Sequence, residues 1–246
     1  MTAPITRPRL AIVTVTLNDL GGLLATRASL RRQTCRDFEW LVADGGSDDG
    51  TAAWLRAHAG EVSWSRSGPD LGVYDAMNRC LDRVRAETVM FLNAGDTLAG
   101  DGALAAILGL MAETGADFLY ADALERGYSG ALGLKPARSH RLAPLGMFTH
   151  HQAMVYRMSA IGGLRYDLSY PIGADYDFTL AVLAAGARVA RLRRPICIYR
   201  GGGLSCRRAA QGRMDQVRIR RRRYPIATLW NAPLLSIQWM AGAFKT

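Results

Sequence analysis

The chain has 246 residues, 49% of them apolar and 21% charged, enough to bury a large core and to exclude a disordered or collagen-like polypeptide. Its four cysteines (Cys35, Cys80, Cys197, Cys206) form no C-x-x-C pair and no cluster with histidine, so neither a zinc site nor a disulfide framework is expected, and a reducing compartment fits. The net charge of +10 is uneven: residues 188–246 hold 14 Lys and Arg against one acid, Asp215, while residues 1–187 are slightly acidic, so the basic end predicts an anionic partner surface.

No apolar signal core precedes the first strand-like run, so a secretory signal is not expected. Leu10 to Leu17 is rich in β-branched residues and reads as a buried strand, with Asn18 or Asp19 capping the helix that follows. Phe38 to Ala43 is a second strand, ending in the turn-rich segment Asp44 to Thr51, which also caps a helix through Leu55. Val62–Trp64 reads as a short third strand, Asp75 to Arg85 as a helix, and Thr88 to Leu92 as a fourth strand that stops at Asn93-Ala94-Gly95-Asp96. A helix over Gly102 to Glu113 and a strand near Asp117–Tyr120 follow. Strand and helix thus alternate for 120 residues, which predicts an α/β fold with a doubly wound, mostly parallel sheet. Residues 121–148 read as loop. Beyond them come a strand led in by Thr149 to Tyr156, a helix opened by Gly173 and running to Ala185, two short strands around Pro195, and an Arg-studded helix over Arg207 to Arg223.

In parallel sheets ligands sit beyond the carboxyl ends of the strands, and the polar motifs Thr16-Leu17-Asn18, Asp44 to Thr51 and Asn93 to Asp96 all fall there. Asp96 on its turn could serve a hard cation, which favours one or two protein oxygens completed by water and phosphates, or could simply cap the next helix. Asp44 could accept a ring N–H of a nucleobase or be part of an ordinary turn. The loop from Asp70 runs into a helix bearing Asp75 and Asn78, where backbone N–H groups suit phosphate and where Asp75 could equally be a cap. Asp175 and Asp177 at the start of a helix suit either the helix dipole or a general base. The chain has no G-x-G-x-x-G after its first strand, no G-x-x-x-x-G-K-[ST] and no G-x-S-x-G, so dinucleotide, P-loop and hydrolase-elbow sites are not expected.

Taken in order, these motifs resemble family 2 of the glycosyltransferases, inverting enzymes of the GT-A nucleotide-sugar fold. The family's T-x-N is matched by Thr16-Leu17-Asn18 and its D-D/G-G-S-x-D-G-T loop by Asp44 to Thr51. Asn93 to Asp96 stands in place of its D-x-D, and Ala174-Asp175-Tyr176-Asp177 in place of its E-D or D-x-D segment. The run Pro69 to Asn78, with Leu92 to Asp96 and His151-Gln152, resembles in particular enzymes that build colanic acid and related bacterial exopolysaccharides. Asn93 replaces the first acid of D-x-D, which leaves Asp96 as direct ligand. Ala174 replaces the first acid of E-D, so Asp175 inherits the base role with Asp177 as its backup.

The resemblance implies a GT-A domain over 1–205, with a nucleotide-binding half (1–120) and an acceptor-binding half (121–205), followed by a basic amphipathic helical tail over 206–246. Thr16, Asn18, Asp44, Gly46 and Ser47 would contact the nucleoside, Asp75 and Asn78 the ribose and diphosphate, with Asn93, Ala94 and Gly95 beside them. Asp96 would bind Mn²⁺ or Mg²⁺ bridging the phosphates of a nucleoside-diphosphate sugar, UDP foremost and GDP next. Asp175 would deprotonate the hydroxyl of a saccharide or polyprenyl-diphosphate-linked acceptor, and His151 and Arg200 would contact phosphate or acceptor. The basic tail and the apolar stretch Pro225 to Phe244, interrupted by Asn231, Pro233, Ser236 and Gln238, read as an in-plane segment on an anionic membrane through residues 207–244; packing on the catalytic body or on a second subunit is the alternative. The expected location is cytoplasmic, on the inner face of the cytoplasmic membrane. A degenerate, sugar-nucleotide-binding homologue and an Arg-tail nucleic-acid binder are the rival readings. No nucleic acid is expected as partner, and a homo-oligomer is allowed.

Overall fold

The computed structural model describes residues 7–224. The apolar run of β1 (Leu10–Thr16) is buried at every residue, as a strand with neighbours on both edges and helices on both faces requires. Its side chains alternate: Ala11, Val13 and Val15 point into one core cluster, Leu10 and Ile12 into the other. After β1 come α1 (Leu20–Arg31), β2 (Phe38–Asp44), α2 (Thr51–Ala57), β3 (Trp64–Ser67), α3 (Val73–Leu81), β4 (Thr88–Phe91), β5 (Thr97–Leu98) and α4 (Ala103–Thr114). Asp19 caps α1, accepting a hydrogen bond from Gly22 N at 2.9 Å.

The second half comprises β6 (Phe118–Arg126), β7 (Leu132–Lys135), β8 (Met154–Arg157), α5 (Met158–Ile161), α6 (Ala174–Ala184), β9 (Val189–Arg200), α7 (Leu204–Arg207) and α8 (Ala209–Arg223), with 3₁₀ turns at His140–Leu145 and His151–Ala153. The sheet order is β3-β2-β1-β4-β8-β6-β9-β5, with β7 paired to β6. The four strands from β3 to β4 pair in parallel, as the alternation predicts. Beyond β4 the sheet is mixed, because β8 is antiparallel to both β4 and β6. One core lies between the sheet and α3, α6 and Ile219 of α8; the other is closed by α1, α2 and α4.

Several boundaries differ from the sequence reading. The third strand begins at Trp64, and the helix expected over Asp75 to Arg85 spans Val73–Leu81. The segment read as loop carries the rest of β6 and all of β7: Gly127, Gly130 and Gly133 suppress the strand pattern, yet Ala123 to Arg126 pair with Leu132 to Lys135. The two strands expected around Pro195 are one strand, irregular where Pro195 stands opposite Asp122, a break that accommodates the missing N–H of proline. The basic tail is not a separate piece at its start. Asp215, Val217, Ile219 and Arg220 of α8 are buried, Ile219 in the core shared with α3 and α6. The stretch Pro225 to Phe244 lies outside the described residues, among which no helix is long and apolar enough to cross a membrane.

Candidate active site

Where β1 and β2 end side by side, Thr16 pairs with Asp44. The Asp44 carboxylate is buried and accepts hydrogen bonds from Ser47 N (3.1 Å), Ser47 Oγ (2.5 Å) and Ser67 Oγ (2.5 Å). Ser47 Oγ in turn accepts from Asn18 N at 2.7 Å, and Asn18 Oδ1 accepts from Asp48 N at 2.9 Å. Asn18 holds a left-handed backbone (φ 50°), a conformation that asparagine tolerates better than most residues. Thr16 Oγ1 is buried with no hydrogen-bond partner among the described residues. An orphaned hydroxyl beside a fixed carboxylate is costly unless a ligand completes it. Gly46 sits at φ 93°, a conformation that favours glycine, and a Cβ there would stand 3.3 Å from Pro69 N, tighter than ordinary contact.

At the end of β4 the backbone turns through Asn93 to Asp96. Gly95 adopts φ 90°, a conformation that favours glycine, and a Cβ there would stand 2.5 Å from the Arg200 guanidinium, which would have to move aside. Asp96 is buried; its Oδ1 accepts from Arg200 N (3.0 Å) and its Oδ2 from Gln152 Nε2 (2.9 Å). Burial pushes its pKa up to about 6, against the lowering effect of those donors. Asn93 Oδ1 is a second buried oxygen with no partner among the described residues.

A cleft of about 780 Å³ opens here, lined by Asn93, Ala94, Asp96, His151, Asp175 and Arg200 among others. Six residues singled out in the sequence, from four separate stretches, therefore meet at one cavity. Asp175 stands in its wall at the first turn of α6. Its Oδ1 accepts from the hydroxyl of Tyr74 on α3 (3.2 Å) and from Tyr176 N (2.8 Å). Burial pushes the Asp175 pKa up to about 6, and the two hydrogen bonds lower it less.

Asp177 lies elsewhere. Residues two apart on a helix point to different faces, and both Asp177 oxygens are engaged by Arg223 of α8, at 2.5 and 2.8 Å, away from the cleft lining. Its position is that of an ion pair between helices, which leaves Asp175 as the candidate base. Asn78 is engaged within the fold. Its amide donates to Tyr166 O (2.9 Å) and accepts from Tyr166 N (2.8 Å), so it ties α3 to a distant loop and does not line the cleft. Asp75 lies in the first turn of α3, behind the cap at Gly72, where it pairs with Arg79 at 2.7 Å and accepts from Leu71 N at 3.0 Å. His151 is buried, stacked on Phe91 and hydrogen-bonded through Nε2 to Tyr166 Oη at 2.9 Å; burial pushes its pKa down to about 4, so its imidazole is uncharged at neutral pH. The Arg200 guanidinium is paired with Asp19.

Residues 11–169 match the model of the family described as glycosyl transferase family 2. The chain belongs to that family. The glycosyltransferase is 34% identical to the PGL/p-HBAD biosynthesis glycosyltransferase of Mycobacterium tuberculosis over 193 residues, 75% of this chain and 73% of the relative. It is 30% identical to an uncharacterized glycosyltransferase of the same organism over 228 residues, 89% and 86% of the two chains. Its fold is similar to that of S. aureus TarS solved with UDP (TM-score 0.68, 16% identity, 92% of this chain and 69% of that one). It is also similar to a mannosyltransferase from Pyrobaculum calidifontis solved with GDP-Man and Mn²⁺ (TM-score 0.64, 17% identity, 99% and 77%).

Among the described residues no three His, Cys, Asp or Glu side chains gather as a ligand set. The glycosyltransferase instead offers Asp96, whose oxygens each accept one hydrogen bond and keep a lone pair, and the partnerless Asn93 Oδ1 in the same cleft wall. Few protein oxygens, with the remainder left to water and phosphates, is a donor set that fits Mg²⁺ or Mn²⁺. Among the cleft residues that carried no expected role, Tyr74 and Gln152 stand out. Each acts by touching an acid distant in sequence, Asp175 or Asp96, so only the motif runs containing them pointed their way.

Proposed function

We propose that the glycosyltransferase moves a sugar, with inversion, from a nucleoside-diphosphate sugar to a hydroxyl of a saccharide or polyprenyl-diphosphate-linked acceptor in cell-surface glycan synthesis. The observation that carries this reading is the shared cleft: Asp96 and Asn93, suited to a diphosphate and its cation, and Asp175, suited to a base, line one cavity. The nucleoside would sit at Thr16, Asn18, Asp44, Gly46 and Ser47. A divalent cation held by Asp96 would supply charge neutralisation for the leaving diphosphate. Asp175 takes the proton of the acceptor hydroxyl as its oxygen bonds to the anomeric carbon; the bond from that carbon to the diphosphate oxygen breaks, and the nucleoside diphosphate leaves with the electron pair. One displacement inverts the centre without an enzyme nucleophile.

UDP is the first donor nucleotide to test and GDP the second. Thermal denaturation with UDP, GDP, dTDP and CMP, each with and without Mn²⁺, reads the choice. Stabilisation by a single diphosphate that needs the metal is the expected result. No shift with any of the four would remove the sugar-nucleotide reading.

The exposed Arg207, Arg208, Arg221 and Arg222, with Met214 between them, support docking of the basic tail on an anionic cytoplasmic leaflet, where a lipid-linked acceptor would be met. Co-flotation with anionic liposomes, lost in 0.5 M salt (a Debye length of roughly 4 Å), is expected. A protein that stays unbound at low salt would remove the membrane reading.

A further inference from the structure

Asp215, the one acid of the basic end, is buried, and its carboxylate is spent on the start of the helix that carries Asp175. Oδ2 accepts from Ile172 N at 3.0 Å and from Gly173 N at 3.1 Å. The approach is close: a Cβ on Gly173 would stand 2.8 Å from Asp215 Cβ, and a Cβ on Gly212 would stand 3.0 Å from Ile172 Cγ2. Ile172 O in turn accepts from Tyr74 Oη at 2.7 Å, and the same hydroxyl lies 3.2 Å from Asp175 Oδ1. Tyr74 has one proton to share between the two oxygens. The pair of Arg223 with Asp177 fastens α8 to α6 at a second point, one turn further into α6.

We propose that Asp215 is a positioning residue for transfer: by fixing Ile172 it keeps the Tyr74 hydroxyl divided between Ile172 O and Asp175, and so holds Asp175 in the cleft wall as a base. The proposal rests on the reading of Asp175 as base. An unfastened Ile172 would release Tyr74 to donate wholly to Asp175, and would loosen the packing that keeps water from it. Both changes stabilise the carboxylate and weaken it as a base. The phenols of Tyr74, Tyr156 and Tyr166 also feel the charge of Asp175, and burial keeps all three protonated near neutrality, so none of them titrates with it.

Asp215→Ala and Asp215→Asn separate positioning from bulk stability, because the amide oxygen of asparagine can still accept from both N–H groups. Asp215→Ala is expected to lower kcat by about ten- to a hundredfold and to move the acid limb of the kcat profile to lower pH. The donor KM should stay within about twofold, since the bonds of Asp215 go to the start of α6 and not to the strand ends of the nucleoside site. Asp215→Asn should restore most of the turnover. An Asp215→Ala protein with unchanged kcat, or one whose loss matches its unfolded fraction while the limb stays in place, overturns the proposal. If Asp215→Ala does not fold, Tyr74→Phe carries the test: it leaves α8 alone and removes a donor from Asp175, so the limb should rise, and an unmoved limb overturns the proposal. Full activity in Asp175→Asn would instead remove the base reading itself.

Discussion

Asp175→Asn is expected to reduce kcat by about 10²- to 10⁴-fold, the usual contribution of a positioned general base, while nucleotide-dependent thermal stabilisation is retained. The amide keeps the acceptor for Tyr74 and Tyr176 N, so the fold should survive and the loss should fall on proton removal. The pH profile gives a second reading. As a base Asp175 would work only when ionised, and burial pushes its pKa up to about 6, so wild-type turnover should fall as pH drops through about 6 and hold above it. The residual activity of the variant should lack that limb at saturating Mn²⁺, which keeps Asp96 ionised. Asp177→Asn is the contrast. It breaks an ion pair with Arg223, costs stability of about 2 kcal/mol, and should reduce kcat less than tenfold. Comparable losses in the two variants would contradict the assignment of the base to Asp175.

The second large effect is expected at Asp96. Asp96→Ala should lower kcat/KM by about 10³-fold or more at saturating Mn²⁺, the scale of losing the main electrostatic support for a leaving diphosphate. It should also remove the Mn²⁺ dependence of stabilisation by the nucleoside diphosphate. The substitution strands Arg200 N and Gln152 Nε2 as well, so Asp96→Asn is the control for fold: it keeps an oxygen for one of them and loses the charge. Metal-dependent activity at the wild-type level in both variants would remove Asp96 as the ligand.

The parallel half of the fold is legible in the sequence because each of its strands is a short apolar run closed by a polar turn, and burial on both faces leaves such runs little alternative. The second half is legible in part: the start of β6, β8 and the span of β9 read as strands, but the end of β6 and all of β7 do not. β7 is an exposed edge strand with Gly133 in its middle, and its pairing with β6 is fixed by the turn at Gly127 to Gly130 more than by its own side chains. At the site, the order of motifs points to the residues at strand ends, Asp44, Asn93 and Asp96, and to the helix start at Asp175. Asn78 escapes it, because a side chain that ties down a loop 88 residues away carries no local sign of doing so. For Asp177 the spacing is informative: two positions along a helix, it cannot share a face with Asp175.

The sheet order also bears on synthesis. β4 is complete at Phe91, but its outer edge is filled by β8, whose last residue is Arg157, and β6 then waits for β9 up to Arg200. Were the N-terminal parallel unit to form during synthesis, its β4 edge would stay unpaired for about 65 residues of elongation until β8 is complete, a stage at which chaperone capture or edge-to-edge aggregation would compete with folding.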